Sequence, residues 1–151
     1  MQINEIITIA ACAVGYSLMG GLANAESAGE REFTNSCIAC HGATGVGDGP
    51  LSEYLTIDVS DLTSLSQENG GEFPFKYVVQ IIDGRTGLRG HGDAQPDSAG
   101  SMPIWGERFK IEVLEEQMEA ESVEDMGRFS SELVVRGRIM ALADYLETIQ
   151  K

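Results

Sequence analysis

The chain has 151 residues, the size of one domain. Its 24 Asp and Glu against 10 Lys and Arg give a formal charge of −14, which excludes the basic face that nucleic-acid or anionic-membrane docking requires. A hydrophobic content of 42% excludes wholesale disorder, and 18 glycines beside only four prolines predict long ordered loops around a modest core.

Residues 6–25 carry no charge, from Ile6-Ile7-Thr8-Ile9 through a glycine-richer stretch to Ala25. Ala23-Asn24-Ala25 is a small-x-small site, and Glu26 opens a charged region. That order predicts a signal peptide over 1–25, cleaved on export to leave a mature chain of 26–151. Residues 1–5 lack the Lys or Arg of a usual leader start. An apolar run of about 20 residues would also serve as a membrane anchor if left uncleaved. Ile9-Ala10-Ala11-Cys12 has the outline of a lipobox, but the apolar run continues well past Cys12. Gly15, Gly20, Gly21 and the Ala-x-Ala site favour cleavage.

A first helix is predicted over about 27–40, where Gly29, Phe33 and Cys37 recur at helical spacing. It ends in Cys37-Ile38-Ala39-Cys40-His41, a C-x-x-C-H motif and the attachment signal of c-type haem. The spacing has a chemical reason. Two thiols three residues apart can reach the two vinyl groups of a haem and form thioethers, and the next residue supplies an imidazole to the iron. Other uses of these residues fit less well. A thioredoxin-like redox pair wants a βαβ context that the sequence does not show. Zinc held by Cys37, Cys40, His41 and His91 would need adjacent residues to share one tetrahedron. A disulfide across C-x-x-C closes a tight, strained loop. The export leader favours haem, whose covalent attachment in bacteria takes place outside the cytoplasm.

Residues 42–61 are punctuated by Gly, Asp and Pro and predict a loop able to wrap one haem edge. Asn69-Gly70-Gly71 predicts a turn. Phe75, Val78, Val79 and Ile82 then predict a short amphipathic helix closed by Gly84. Residues 85–101 hold four glycines and no apolar period, which predicts a loop. Residues 112–125 hold seven acids and no base, within an acidic insertion at about 110–129. Ile111, Leu114 and Met118 fall on one side of it and predict a helix docked by that face. A last helix is predicted over about 130–150 from Val135, Ile139, Leu142, Leu146 and Ile149. With no repeat and no strand-rich region, the fold class is all-α.

Together these features resemble a monohaem class I c-type cytochrome of the bacterial periplasm. The resemblance rests on Gly29-x3-Phe33-x3-Cys37, the C-x-x-C-H motif, Gly49-Pro50-Leu51, Met102-Pro103-Ile104-Trp105-Gly106 and the ending Ala141-Leu142-Ala143-Asp144-Tyr145-Leu146. It implies a small cytochrome c-like helical domain over 26–151, wrapped around one haem c held by Cys37 and Cys40. It also implies that the Pro50 carbonyl accepts a bond from His41, the proximal ligand. Met102 is the expected sixth ligand, in a loop stiffened by Pro103. His91, between two glycines, is the rival, and would give bis-His ligation. Arg85 and Trp105 are candidate donors to the haem propionates, because both donate and neither accepts.

The expected function is one-electron transfer in the periplasm, with redox proteins there or at the inner membrane as partners. The acidic stretch would steer a partner with a basic docking face. The polypeptide shows no nucleophile–base pair or second metal site of its own, so it is not expected to be an enzyme. Two alternatives stay open: a haem subunit of a larger oxidoreductase, and a haem sensor with bis-His or open ligation.

Overall fold

The computed structural model describes residues 26–86, 88, 102–119 and 127–151, and the side chains of all of these except 119 and 127–130. The predicted leader, His91 and the acidic stretch from 120 to 126 lie outside the described residues. Among those described, the regular structure is entirely helical, as the sequence predicts.

Helix α1 (Ala28–Ser36) is capped by Ser27, whose Oγ accepts the Glu30 N–H at 3.0 Å. That acceptor satisfies an otherwise orphan amide, and Glu30 in the first turn complements the helix dipole. The predicted run to Cys40 is interrupted at Cys37 (φ −114°, ψ −33°), after which α2 covers Ile38–His41. The interruption is shallow. The Cys37 N–H still bonds the Phe33 carbonyl at 2.8 Å, and the His41 N–H bonds the Cys37 carbonyl at 2.9 Å. A 3-10 turn at Ser52–Tyr54 and a one-turn helix α3 (Leu65–Glu68) follow. Helix α4 (Phe75–Asp83) ends where predicted, because Gly84 takes the left-handed conformation (φ 66°) and returns its N–H to the Gln80 carbonyl. Helices α5 (Trp105–Glu119) and α6 (Gly127–Thr148) complete the fold.

Helix α6 is the axis, packed against α1, α4 and α5. Its predicted stripe is the core: Val135, Ile139, Leu142 and Leu146 are buried, and Ile149 packs at the margin. The α1–α6 crossing is close. A Cβ at Gly29 would run into the backbone carbonyl of Ala141 and the Cβ of Tyr145. Beside it, Phe33 meets Tyr145 with ring centres 5.3 Å apart. A polar tie reinforces the packing. Arg138 holds Glu32 of α1 through two bonds (2.7 and 2.9 Å), reaches Glu112 of α5 at 2.8 Å, and lies 4.0 Å from the centre of the Phe109 ring.

Helix α5 docks by a different face from the one expected. Ile111, Leu114 and Met118 point outward, with Met118 83% exposed, while Trp105, Phe109 and Val113 are buried. Both stripes have helical spacing, so periodicity alone does not choose between them. The inward stripe carries two aromatic rings, with centres 5.5 Å apart, and so removes more apolar surface from water.

Candidate functional site

Between α1–α2, the segment before α3, α4 and α6 lies a cavity of about 510 Å³. That is within the range of ligand pockets, about 300–1,000 Å³. Cys37 and His41 form one wall, and Met102 approaches from the segment preceding α5. The remaining walls are mostly aliphatic: Leu62 and Leu65 from the loop and α3, Val78, Ile81 and Ile82 from α4, and Leu142 and Leu146 from α6. Glu68, Asn69 and Tyr77 supply the polar part of the lining, and Tyr77 is more than half exposed, which marks the mouth.

The His41 ring is buried, and its Nδ1 is 3.1 Å from the Ser60 carbonyl oxygen. A carbonyl can only accept, so Nδ1 is the donor in this contact, and in the neutral ring the lone pair then lies on Nε2, the tautomer an Nε2-ligating imidazole uses. The loop is wrapped beneath α2 to make this contact. N–H groups of Gly47, Gly49 and Leu51 bond the carbonyls of His41, Cys40 and Ala39 at 2.8, 3.0 and 2.8 Å, satisfying the end of α2. Gly49-Pro50-Leu51 therefore closes the helix end, but Pro50 itself is exposed. The resemblance implies Pro50 as the carbonyl partner of His41; the structure gives that role to Ser60. The chain returns past α2 at Ser60, so that carbonyl reaches the ring.

Cys37 is buried against the cavity, and burial, followed by the nearby Glu32 carboxylate and Cys40, pushes its thiol up to about 12. It therefore stays a neutral S–H across the physiological range. Cys40 is half-buried and lies outside the named cavity wall. Among the described residues, no group of three or more His, Cys, Asp or Glu is arranged to hold a metal ion, so Cys37, Cys40 and His41 do not form a zinc cluster by themselves.

Two expected residues stand elsewhere. Arg85 does not line the cavity. Its guanidinium binds Asp83 through Nε and Nη2 (2.5 and 3.0 Å) and Glu132 through Nη1 and Nη2 (2.8 and 3.1 Å). Four of its five N–H bonds are thus committed to linking the end of α4 to α6. Trp105 packs in the core against Phe109, with the Arg108 guanidinium 5.2 Å from its ring centre, and likewise does not reach the cavity wall. Ser60 and Tyr77 are site residues that sequence reasoning does not find. A backbone acceptor has no side-chain signature, and Tyr77 lies off the apolar stripe of α4.

The Arg85 cluster has a consequence for acid stability. Bonds from Arg85 and then Arg136 hold the Glu132 carboxyl down at about 2. A carboxyl lowered in the folded state stabilises fully above its unfolded value of about 4.3 and loses that contribution as pH falls towards 2. Glu132→Gln should therefore be less stable than wild type at pH 7, by about 1 kcal/mol because the pair is partly solvated. That difference should shrink between pH 5 and pH 2 in urea unfolding followed by circular dichroism.

No protein-family model, characterised protein or solved structure matches this chain.

Proposed function

We propose that the protein is an exported electron carrier that binds one c-type haem in this cavity. Cys37 and Cys40 would attach it, and His41 and Met102 would hold its iron. The observation that carries the reading is the convergence of Cys37, His41 and Met102 on one apolar-walled cavity of about 510 Å³. When bound, the haem supplies a ferric/ferrous couple and hence the one-electron chemistry.

The chain's own residues divide the remaining work. Cys37 and Cys40 would hold the haem covalently, each thiol supplying the sulfur and proton of one thioether. Ser60 fixes the His41 ring, which raises the basicity of Nε2. The Met102 thioether would favour ferrous iron and so a raised potential, as suits a carrier. The aliphatic walls exclude water and keep the redox centre closed to side reactions. The 23 acids against 10 bases over residues 26–151 suit encounter with a redox partner bearing a basic face in the periplasm or at its inner membrane, and raising the salt should slow that encounter.

The test is the absorption spectrum of the purified ferric protein beside Met102→Ala. A weak far-red sulfur-to-iron band in wild type, lost in the variant, is the expected result. A low-spin spectrum without that band would move the sixth position to His91. A high-spin ferric spectrum with rapid carbon monoxide binding after reduction would replace the carrier with a ligand-binding haem.

A further inference from the structure

The last two residues of the chain are tied to the segment that carries the His41 acceptor. The Gln150 Nε2 donates to the Leu62 carbonyl at 2.8 Å and to the Leu146 carbonyl at 2.6 Å, while its Oε1 accepts the Ser66 N–H at 2.9 Å. The Lys151 N–H donates to the Thr63 carbonyl at 2.9 Å. Its Nζ also approaches Asp61 at 3.1 Å, but that ion pair is solvated, with the lysine side chain 60% exposed. The segment is stiff within itself too. Asp61 Oδ1 accepts both the N–H and the hydroxyl of Thr63, the Ser64 hydroxyl donates to the Asp61 carbonyl at 3.0 Å, and the Leu62 N–H bonds the Gly45 carbonyl at 2.7 Å.

Bonds within residues 61–64, and from Leu62 and Ser66 to Gly45 and Gln150, hold this segment directly after Ser60. Just before it is Ser60, opposite His41; within it are the cavity residues Leu62 and Leu65; and Gln150 grips it from the end of α6 at two separate points. We propose that Gln150 is a positioning residue for His41. By joining 62–66 to α6, it keeps the Ser60 carbonyl aligned with Nδ1 and so sets the strength of the imidazole as a ligand. The grip joins residues more than 80 positions apart in the chain. A neutral, half-buried amide is better suited to it than a solvated ion pair, because its bonds are not screened by salt. The inference rests on the axial role proposed for His41.

The test compares wild-type holoprotein with Gln150→Met, Gln150→Glu and Lys151→Met. Methionine keeps the length of Gln150 and removes all three bonds. Glutamate keeps only the acceptor for Ser66. Lys151→Met removes only the solvated ion pair. Two quantities are read: hydrogen exchange of the His41 ring N–H by NMR, with backbone amides as reference, and the reduction potential. Gln150→Met should exchange the ring proton about fivefold faster, the equivalent of about one lost hydrogen bond. Its potential should rise, because a weaker Nδ1–H···O bond leaves a less basic ligand and ferric iron less stabilised. Gln150→Glu should fall between it and wild type, and Lys151→Met should match wild type. Unchanged ring exchange and potential in Gln150→Met would overturn the inference. So would acceleration shared equally by the amides of α1 and α6 with an unmoved potential, since that is loss of general stability. A wild-type chain that carries no covalent haem would sink the carrier reading first and this inference with it, so the two failures are distinguishable.

Discussion

Gly29→Ala should destabilise the protein by about 2 kcal/mol, while Gly137→Ala should stabilise it by about 0.5–1 kcal/mol. Both positions are glycines inside helices, so replacing either gains up to about 1 kcal/mol of helix propensity. What differs is the space around them. A methyl group at Gly29 meets the Ala141 carbonyl, which belongs to a helix backbone and cannot turn aside. Accommodating it forces α1 away from α6 and loosens the contact between Phe33 and Tyr145, an overpacking cost of about 3 kcal/mol. Nothing lies within 4 Å of the equivalent atom at Gly137, so only the propensity gain applies there. Urea unfolding of the two variants measures both values. A neutral Gly29→Ala would mean that the helices cross with more room than the backbone contact indicates.

The second large effect concerns attachment. Cys37→Ala should lose most of the haem that survives denaturing electrophoresis, and the Cys37→Ala, Cys40→Ala double variant should lose all of it. The fraction of either single variant that still acquires haem would carry it through one thioether, visible as a red-shifted reduced absorption band compared with wild type. Cys37 is the more informative of the pair, because it is buried in the cavity wall with His41 whereas Cys40 is half-buried and is not part of that wall. Haem-peptide mass spectrometry of the wild-type protein gives the complementary result, one haem on the segment that contains both cysteines. Wild-type protein matured alongside a working haem-attachment system but recovered colourless would remove the carrier reading altogether.

Several elements are legible in the amino-acid sequence alone. The i, i+4 and i, i+7 recurrence of Val135, Ile139, Leu142 and Leu146 marks the central helix, and burial of all four follows from that period. Gly84 marks the end of α4 because a left-handed residue, most easily a glycine, closes a helix in that way. The helix beginning after Ser27 follows from the same local logic, and the Ser27–Glu30 contact is its cap. Cys37, Cys40 and His41 stand out because their covalent spacing is itself the chemical requirement. Met102 stands out by the stiff loop it occupies, and it does share a cavity with Cys37 and His41.

Other residues take partners that local reasoning does not name. Arg85 and Trp105 are candidates because of what their side chains can donate, but donation does not say to whom. Asp83 and Glu132, the latter 47 residues away, claim the arginine, and Phe109 claims the indole. The helix at 105–119 offers two apolar stripes at the same period, and only the competition for the surface of α6 selects the aromatic one. The carbonyl opposite His41 is expected at Pro50 and is found ten residues further on, at Ser60, which stands 19 residues from the histidine.

By itself the sequence determined that the chain is all-helical, where α1 begins and α4 ends, which stripe of α6 is buried, and which residues carry the cysteine–histidine motif. Those are properties of neighbouring residues, governed by backbone conformation, period and covalent spacing. The tertiary structure alone decided which face of α5 is buried, which carbonyl orients His41, what Arg85 binds, and how Gln150 reaches the segment 62–66. Each of these is a choice among partners far apart in the chain, and it is made by packing and hydrogen-bond satisfaction once the helices have docked.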